Sequence, residues 1–425
     1  MDAPVIEVKY PLKFRKADAQ VLGEHVRLRH NVDLVGMKRV GIGDFLSFFL
    51  YRRDIIKKYI DAREKHLLIP VDLNDLVEIK LFAFWILTQK RVVDAIEKTR
   101  LDGKVKKQIN LFFLDSIESQ DLFLAIENLR RTFVEIVKAG ILPTIFFLRF
   151  DRMASIVNDD FFANLQGLRE ATGQNLSYVF TSFRSISEIV PLFTHAMYIK
   201  PAQRRDCEII LKALRAKYRI TLAGRLSQKI VQISGGHAQY LYLSMLVLGQ
   251  YLAKNKLSEG EILNVLSQDE RLMLQSEEIR DSLLDSEREV IIRIVEGRKI
   301  NAYQKAKAKY LWETGLVVNR EGEVGVFSPL LGVFLKGNGT GEGKGNVEFT
   351  KKENLLFSLL LENLGALCER EKIIEAVWPE AEELGVSDWT IDRLAARLRE
   401  KLKGQKSELQ LITVKTRGFK LVKAL

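Results

Sequence analysis

Cysteine is nearly absent: Cys207 and Cys368 are the only two in 425 residues. They have no C-x-x-C spacing and no histidine close in sequence, which argues against a disulfide framework and a cysteine-based zinc site. Histidine is also sparse, with 5 residues scattered along the chain, so no metal centre is expected. No apolar run reaches the roughly 18 residues that suggest a membrane span. The start, Met1-Asp-Ala-Pro4, is acidic where a signal peptide would be basic. A cytoplasmic protein with no membrane partner is expected.

What is present suggests several folded domains. A chain of 425 residues exceeds one ordinary core, and 47% hydrophobic with 28% charged residues is a globular composition. The 66 Lys and Arg exceed the 55 Asp and Glu by 11, which suits a polyanionic partner. The excess is unevenly placed. Residues 348–385 carry 4 basic and 9 acidic side chains, a balance of −5, whereas residues 386–425 carry 10 and 4, a balance of +6.

Within the basic stretch, Ile391, Leu394, Ala395, Leu398 and Leu402 recur at helical spacing and predict one buried stripe. Trp389, Arg393, Ala396, Arg397 and Glu400 fall on the other face. Two arginines one turn apart beside a small alanine suit a helix entering a DNA major groove, where arginine grips guanine edges in bidentate fashion. Leu409–Lys415 and Gly418–Val422 alternate like two strands around a cationic turn, which reads as a basic wing.

From Phe349-Thr-Lys-Lys-Glu353 through Trp378-Pro-Glu380, Val386-Ser-Asp388, Leu398-Arg-Glu-Lys-Leu402 and Ile412-Thr-Val414 to Gly418-Phe419, the chain resembles the OmpR/PhoB-type winged-helix DNA-binding domain. The resemblance implies double-stranded DNA as partner. It places Arg393, Arg397 and Arg399 where bases are read or phosphates gripped, Thr390 on the DNA backbone, and Lys415 or Arg417 in the minor groove. Lys401 completes the DNA-binding set. Two departures stand out: Trp389 replaces a usual basic residue, and Thr416 replaces the first glycine of the wing. The acidic turn Glu380-Ala-Glu-Glu-Leu-Gly385 falls where the family approaches RNA polymerase, and a solvated surface loop reads equally well.

Ahead of this domain, strands and helices alternate as in a doubly wound α/β sheet. Val32-Asp-Leu-Val35 runs into Gly36-Met-Lys38-Arg39-Val-Gly41-Ile42-Gly43-Asp44 and then an apolar helix, Phe45–Ile60. Strand, glycine loop, helix is the phosphate-loop layout, but Ile42 holds the lysine position and Gly43 the hydroxyl position. An ordinary strand-to-helix turn is the other reading. Further strands are expected at His66–Asp72, Pro143–Leu148 and Ser177–Ser182, the last closing the set. Helices are expected over Leu76–Arg100 and Gln120–Ala139, with an apolar run from Lys107 to Leu114 between them and a short extended stretch at Val5–Val8.

Residues 20–335 resemble the STAND-class P-loop ATPases, relatives of the AAA+ group. The resemblance puts the acid pair of the Walker B strand at Leu148 and Arg149; a shifted register would make Asp151 the metal-holding acid. It puts a sensor at Thr181-Ser182 and a lid motif at Ser234-Gly-Gly-His237, where His237 reads equally as a helix-start residue. Asp206–Arg219 and Lys229–Gln275 are expected to form the helical lid. Ser286–Val295, Lys305–Thr314 and the strand pair Leu316–Val318 and Val324–Phe327 are expected to form a middle winged helix.

The expected fold is therefore multidomain α/β + α: an approach segment (1–30), a degenerate P-loop NTPase-like domain (31–204), a lid (205–275), a middle winged helix (276–335), a glycine-rich linker (336–347) and an OmpR/PhoB-type winged helix (348–425). The expected function is DNA-binding transcription regulation with a body that does not hydrolyse ATP. No cofactor is required, and a nucleotide or other anionic effector would bind weakly at Lys38 and Arg39. A homo-oligomer is compatible with this plan. The alternatives are an ATP-hydrolysing switch built around Asp72, Asp151 or Arg149, and a protein-docking scaffold.

Overall fold

The computed structural model describes residues 6–338 apart from 53, 62, 186–193, 253–256 and 321, and residues 349–423 apart from 380–385, 387, 406, 415 and 416. The chain divides into two compact units, Met1–Phe334 and Leu335–Leu425.

The first unit is built on five parallel strands, β1 Asn31–Val35, β2 Lys65–Asp72, β3 Ile141–Leu148, β4 Ser177–Ser182 and β5 Thr194–Tyr198, in the order β2-β3-β4-β1-β5. β1 and β4 are buried along their whole length, as expected of parallel strands covered on both faces. Helices α1 Lys16–Arg27, α2 Ile42–Leu50 and α3 Asp54–Tyr59 surround β1. Next, α4 Leu81–Glu97, α5 Gly103–Ser119 and α6 Leu122–Lys138 connect β2 to β3, and α7 Asp159–Ala171 connects β3 to β4. Phe84, Trp85, Phe147, Phe150, Phe161 and Phe180 fill the core between these helices and the sheet. The core of the unit is a parallel α/β sheet packed against helices.

Five helices follow: α8 Arg204–Tyr218, α9 Gly224–Ser234, α10 Ala238–Leu252, α11 Ile262–Gln268 and α12 Glu270–Asp281. Then come α13 Asp285–Val295, α14 Ala302–Lys307, α15 Lys309–Glu313, the antiparallel pair β6 Val317–Arg320 and β7 Glu323–Val326, and α16 Pro329–Asn338. This segment is fastened to the sheet by Arg184, just beyond β4. Its guanidinium donates to both oxygens of the buried Glu287 carboxylate at 2.8 and 2.6 Å and to the Ser282 carbonyl at 2.6 Å, and it lies over the Tyr310 ring. Glu287 also accepts the Leu284 N–H at 2.9 Å, so one acid both starts α13 and anchors the joint.

Several expectations need correction. The stretch expected to be extended at Val5–Val8 is a 3-10 turn over Ile6–Lys9 where described. Phe45–Ile60 is two helices, separated near Arg52, whose guanidinium turns onto Asp54 at 2.7 Å. Lys107–Leu114 is the middle of α5, and Leu76–Arg100 becomes helical only at Leu81. Lys305–Thr314 is interrupted at Ala308, and α12 runs past Gln275 to Asp281. Lys336–Asn338, read as linker, ends α16; the rest of the glycine-rich stretch lies outside the described residues. The fifth strand, β5, was not expected: its side chains are half-exposed at the sheet edge, so it lacks the apolar run of its neighbours.

In the second unit, α17 Lys351–Glu362, β8 Leu367–Glu369, α18 Arg370–Val377, α19 Asp388–Gly404, β9 Leu409–Val414 and β10 Gly418–Lys423 form a winged helix with sheet order β8-β10-β9. Its core joins Leu356, Leu360, Trp378 and Phe419 to the expected stripe Ile391, Leu394, Ala395, Leu398 and Leu402. Phe419 and its neighbours pair with β8, a three-residue strand too short to stand out in the sequence. A Cβ at Gly418 would overlap the Cys368 carbonyl, so this wing glycine is set by close strand approach. Among the described residues, no helix is long and apolar enough to cross a membrane.

Candidate functional site

The winged helix starts with a capping box. Thr350 Oγ1 accepts the Glu353 N–H at 3.3 Å, and the Glu353 carboxylate accepts the Thr350 N–H at 2.7 Å. Glu353, 1% exposed, also receives Lys401 at 2.7 Å, and this buried charge ties the end of α19 to the start of α17. Arg399 donates to the Leu411 carbonyl at 3.0 Å and to Thr413 Oγ1 at 2.9 Å, so it staples α19 to β9. Both side chains, read from the sequence as DNA contacts, reach acceptors within the domain from the C-terminal half of α19.

Arg393, Ala396 and Arg397 lie on the face of α19 opposite the buried stripe and are partly exposed, with Thr390 near the helix start. At the N-terminus of α18, Arg370 pairs with Asp392 at 2.5 Å and fixes how α18 meets α19. Arg417 is exposed and faces Glu369 at 3.5 Å. Lys415, Thr416, the side chain of Trp389 and the acidic turn 380–385 lie outside the described residues.

In the first unit, the layout of strand, loop and helix is as expected: β1 ends at Val35 and α2 begins at Ile42, capped by Gly41 at φ 106, a conformation suited to glycine. Gly36 is also constrained, since a Cβ there would lie 2.9 Å from Ile42 Cδ1 and from Val40 Cγ1. The Ile42 side chain therefore folds back onto the base of the loop, and Gly43 is exposed with open space about it.

The lid helix closes on this loop. The His237 ring accepts the Tyr240 N–H at Nδ1 (3.3 Å), so Nε2 carries the proton and donates to the Lys38 carbonyl at 2.7 Å. Gln239 N–H reaches the Arg39 carbonyl at 3.4 Å, and the Arg39 side chain lies 3.6 Å from Glu278 on α12. Burial holds His237 down at about 4, so the ring is neutral at physiological pH. Gly236, at φ 84, gives the turn before His237 its path, and a Cβ there would overlap the Ala202 carbonyl.

Lys38 Nζ rests 3.6 Å from the centre of the Phe183 ring. Burial lowers its pKa, while Asp151 and Glu278 act in the opposite direction. Asp151 thus lies within electrostatic range of the loop, in the 3-10 turn Phe150–Met153 beyond β3. Leu148 ends β3, and Arg149 turns its side chain into an ion pair with Asp72 while its N–H donates to Thr181 Oγ1 at 2.8 Å.

Arg15, which was not singled out from the sequence, and Asp44, which closes the loop stretch read there, both lie beside the loop. Arg15, 5% exposed, donates to Asp18 at 3.0 Å and to the Lys200 carbonyl at 3.1 Å, and its Nη2 is 3.9 Å from where a Gly41 Cβ would lie. Asp44, in the first turn of α2, is pushed up to about 6 by burial, with Glu7 adding to the shift and Arg15 opposing it. Arg15 lies in no stretch with a recognisable pattern.

Residues 343–421 match the family described as "Transcriptional regulatory protein, C terminal". The C-terminal domain is of that family. No curated protein matches the chain. Among solved structures, a Walker-type ATPase of Pyrococcus abyssi is similar at 16% identity and TM-score 0.45, covering 76% of this chain and 95% of that one. The ORC2 protein of Aeropyrum pernix is similar at 13% identity and TM-score 0.44, covering 78% and 96%. The ORC1 protein of the same organism, in complex with DNA, is similar at 12% identity and TM-score 0.39, covering 98% and 91%. The chain thus joins a transcriptional-regulator C-terminal domain to a body built on a parallel α/β sheet.

Proposed function

We propose that the protein is a DNA-binding transcriptional regulator whose ATPase-like body serves as a shaped, lid-latched platform and does not turn over ATP. The observation that carries the second half is the set of groups at the phosphate site. Ile42 packs onto the loop base, Gly43 offers no hydroxyl, and Arg149 forms an ion pair with Asp72 where an acid pair would be needed. A preorganised group that stabilises transition-state charge is typically worth about 10²–10³ in rate, so three missing together leave little of phosphoryl transfer. These residues do not suit magnesium nucleotide. A weakly bound anion at Lys38 and Arg39 would act only by favouring one arrangement of lid and loop.

On the DNA side, Arg393 and Arg397 read bases, while Thr390, Trp389, Lys415 and Arg417 contact the backbone or minor groove; Arg399 and Lys401 are structural. Glu380, Glu382 and Glu383 are the residues through which RNA polymerase would be approached. Neutralising all three is then expected to spare DNA binding and lower transcription in a reconstituted assay.

The deciding experiment measures phosphate release by the full chain with magnesium and ATP, with and without DNA, beside a salt-dependent DNA titration. Binding that weakens steeply with salt and no turnover supports the reading. Turnover of about 1 per second or faster, within the ordinary range for kinases, and abolished by Asp151→Asn, would restore Asp151 as a catalytic metal ligand.

A further inference from the structure

Three of the protein's 5 histidines, scattered in sequence, meet at one place. His25 lies in the last turn of α1, His30 just before β1, and His195 on the edge strand β5, in register with Val32. One ring nitrogen from each lies within 4.8 Å of the others, and the Nδ1 atoms of His25 and His30 are 3.1 Å apart. We propose that His25, His30 and His195 together bind one divalent transition-metal ion, zinc by preference, at the N-terminal edge of the sheet.

The geometry favours an ion over a chance cluster. Zinc–imidazole bonds of about 2.0–2.1 Å at a tetrahedral angle separate two ligand nitrogens by about 3.3 Å. His25 and His30 already stand near that spacing, and His195, exposed on the edge strand, brings a ring nitrogen within 4.8 Å of both. Glu24, which pairs with Arg27 at 3.6 Å, acts electrostatically on both rings. The nearby Arg169 is directed elsewhere, donating to the carbonyls of Arg29 and Leu176. An all-imidazole set without sulfur suits zinc, nickel or copper(II).

The site is separate from the phosphate loop, which follows the opposite end of β1. An ion here would join α1, the entry to β1 and the edge strand β5, whose only pairing among the described residues is with β1.

The test titrates the chelator-treated full chain with zinc chloride and, separately, with cobalt chloride, reading stoichiometry, melting temperature and visible absorption. One equivalent of zinc, a rise in melting temperature and the d–d band of four-coordinate cobalt are expected. His30→Ala and His195→Ala should each weaken uptake by at least about 10-fold, with His66→Gln unchanged. Absence of stoichiometric uptake, or uptake unaltered in a folded His195→Ala, would reduce the cluster to stacked, hydrogen-bonded imidazoles and overturn the proposal. Because His195 is exposed, that variant decides the matter even if His30→Ala fails to fold.

Discussion

The phosphate loop and the winged helix place their polar groups differently. Around the loop, they point at one another: Arg149 at Asp72, Arg39 at Glu278, and His237 at the Lys38 carbonyl. On the winged helix, Arg399 and Lys401 bond to partners within the domain and Arg370 pairs with Asp392, while Arg393 and Arg397 lie on the face of α19 opposite the buried stripe. Ion pairs directed inward hold a shape, and a basic helix face suits a polyanion.

The sharpest way to break this contrast is to remove an inward charge from the winged helix. Glu353→Ala deletes a buried carboxylate that accepts both the Thr350 N–H and Lys401. Loss of one member of a buried pair, together with a helix cap, should cost about 3–5 kcal/mol. In calorimetry of the full chain, a transition belonging to the C-terminal unit should move down while that of the first unit stays. Joint movement of both would contradict the division into two units.

A smaller effect separates outward from inward arginines. Arg393→Ala or Arg397→Ala should cost roughly 1–3 kcal/mol of binding and relax sequence preference, because a bidentate base contact is lost. Arg399→Ala should lower the melting temperature of the C-terminal unit and leave the preferred sequence unchanged. Selection of bound fragments from random DNA, run on all three variants, distinguishes them. A changed preference in Arg399→Ala would return that residue to the groove.

Much of the architecture is legible in the sequence because periodicity reports burial. The α19 stripe, the buried runs of β1, β3 and β4 and the loop between β1 and α2 all follow from local pattern. What escapes is set by contacts between distant residues. Lys401 meets Glu353 across 48 positions and His237 meets Lys38 across 199, so spacing could not reveal either contact. β5 escapes for another reason: an edge strand exposes half its side chains, so Thr-His-Ala-Met-Tyr reads as loop, and with it goes the meeting of the histidines.

The smallest effect concerns pH and the loop itself. Asp44 occupies the first turn of α2, where a helix N-terminus favours negative charge, yet burial outweighs that and raises the carboxyl to about 6. Because the folded value lies above the ordinary carboxylate value, both folded and unfolded chains hold the proton at low pH. Between about pH 4 and 6 the unfolded chain ionises first, so stability falls as pH rises, and the loss is complete above that window. His237 has the opposite sign: its folded value of about 4 lies below the ordinary imidazole range, so acidification from about 6.5 protonates the unfolded chain first and stability is lost as pH falls. The two slopes offset each other in the wild-type protein. Asp44→Asn should therefore gain about 1–2 kcal/mol at pH 7.5 and nothing near pH 4, exposing the acid loss due to His237 that the wild type conceals. Urea unfolding of the full chain across this range is the measurement; wild-type and variant curves that run parallel would mean that Asp44 ionises equally in both states and that the first turn of α2 is more open to water than its packing indicates.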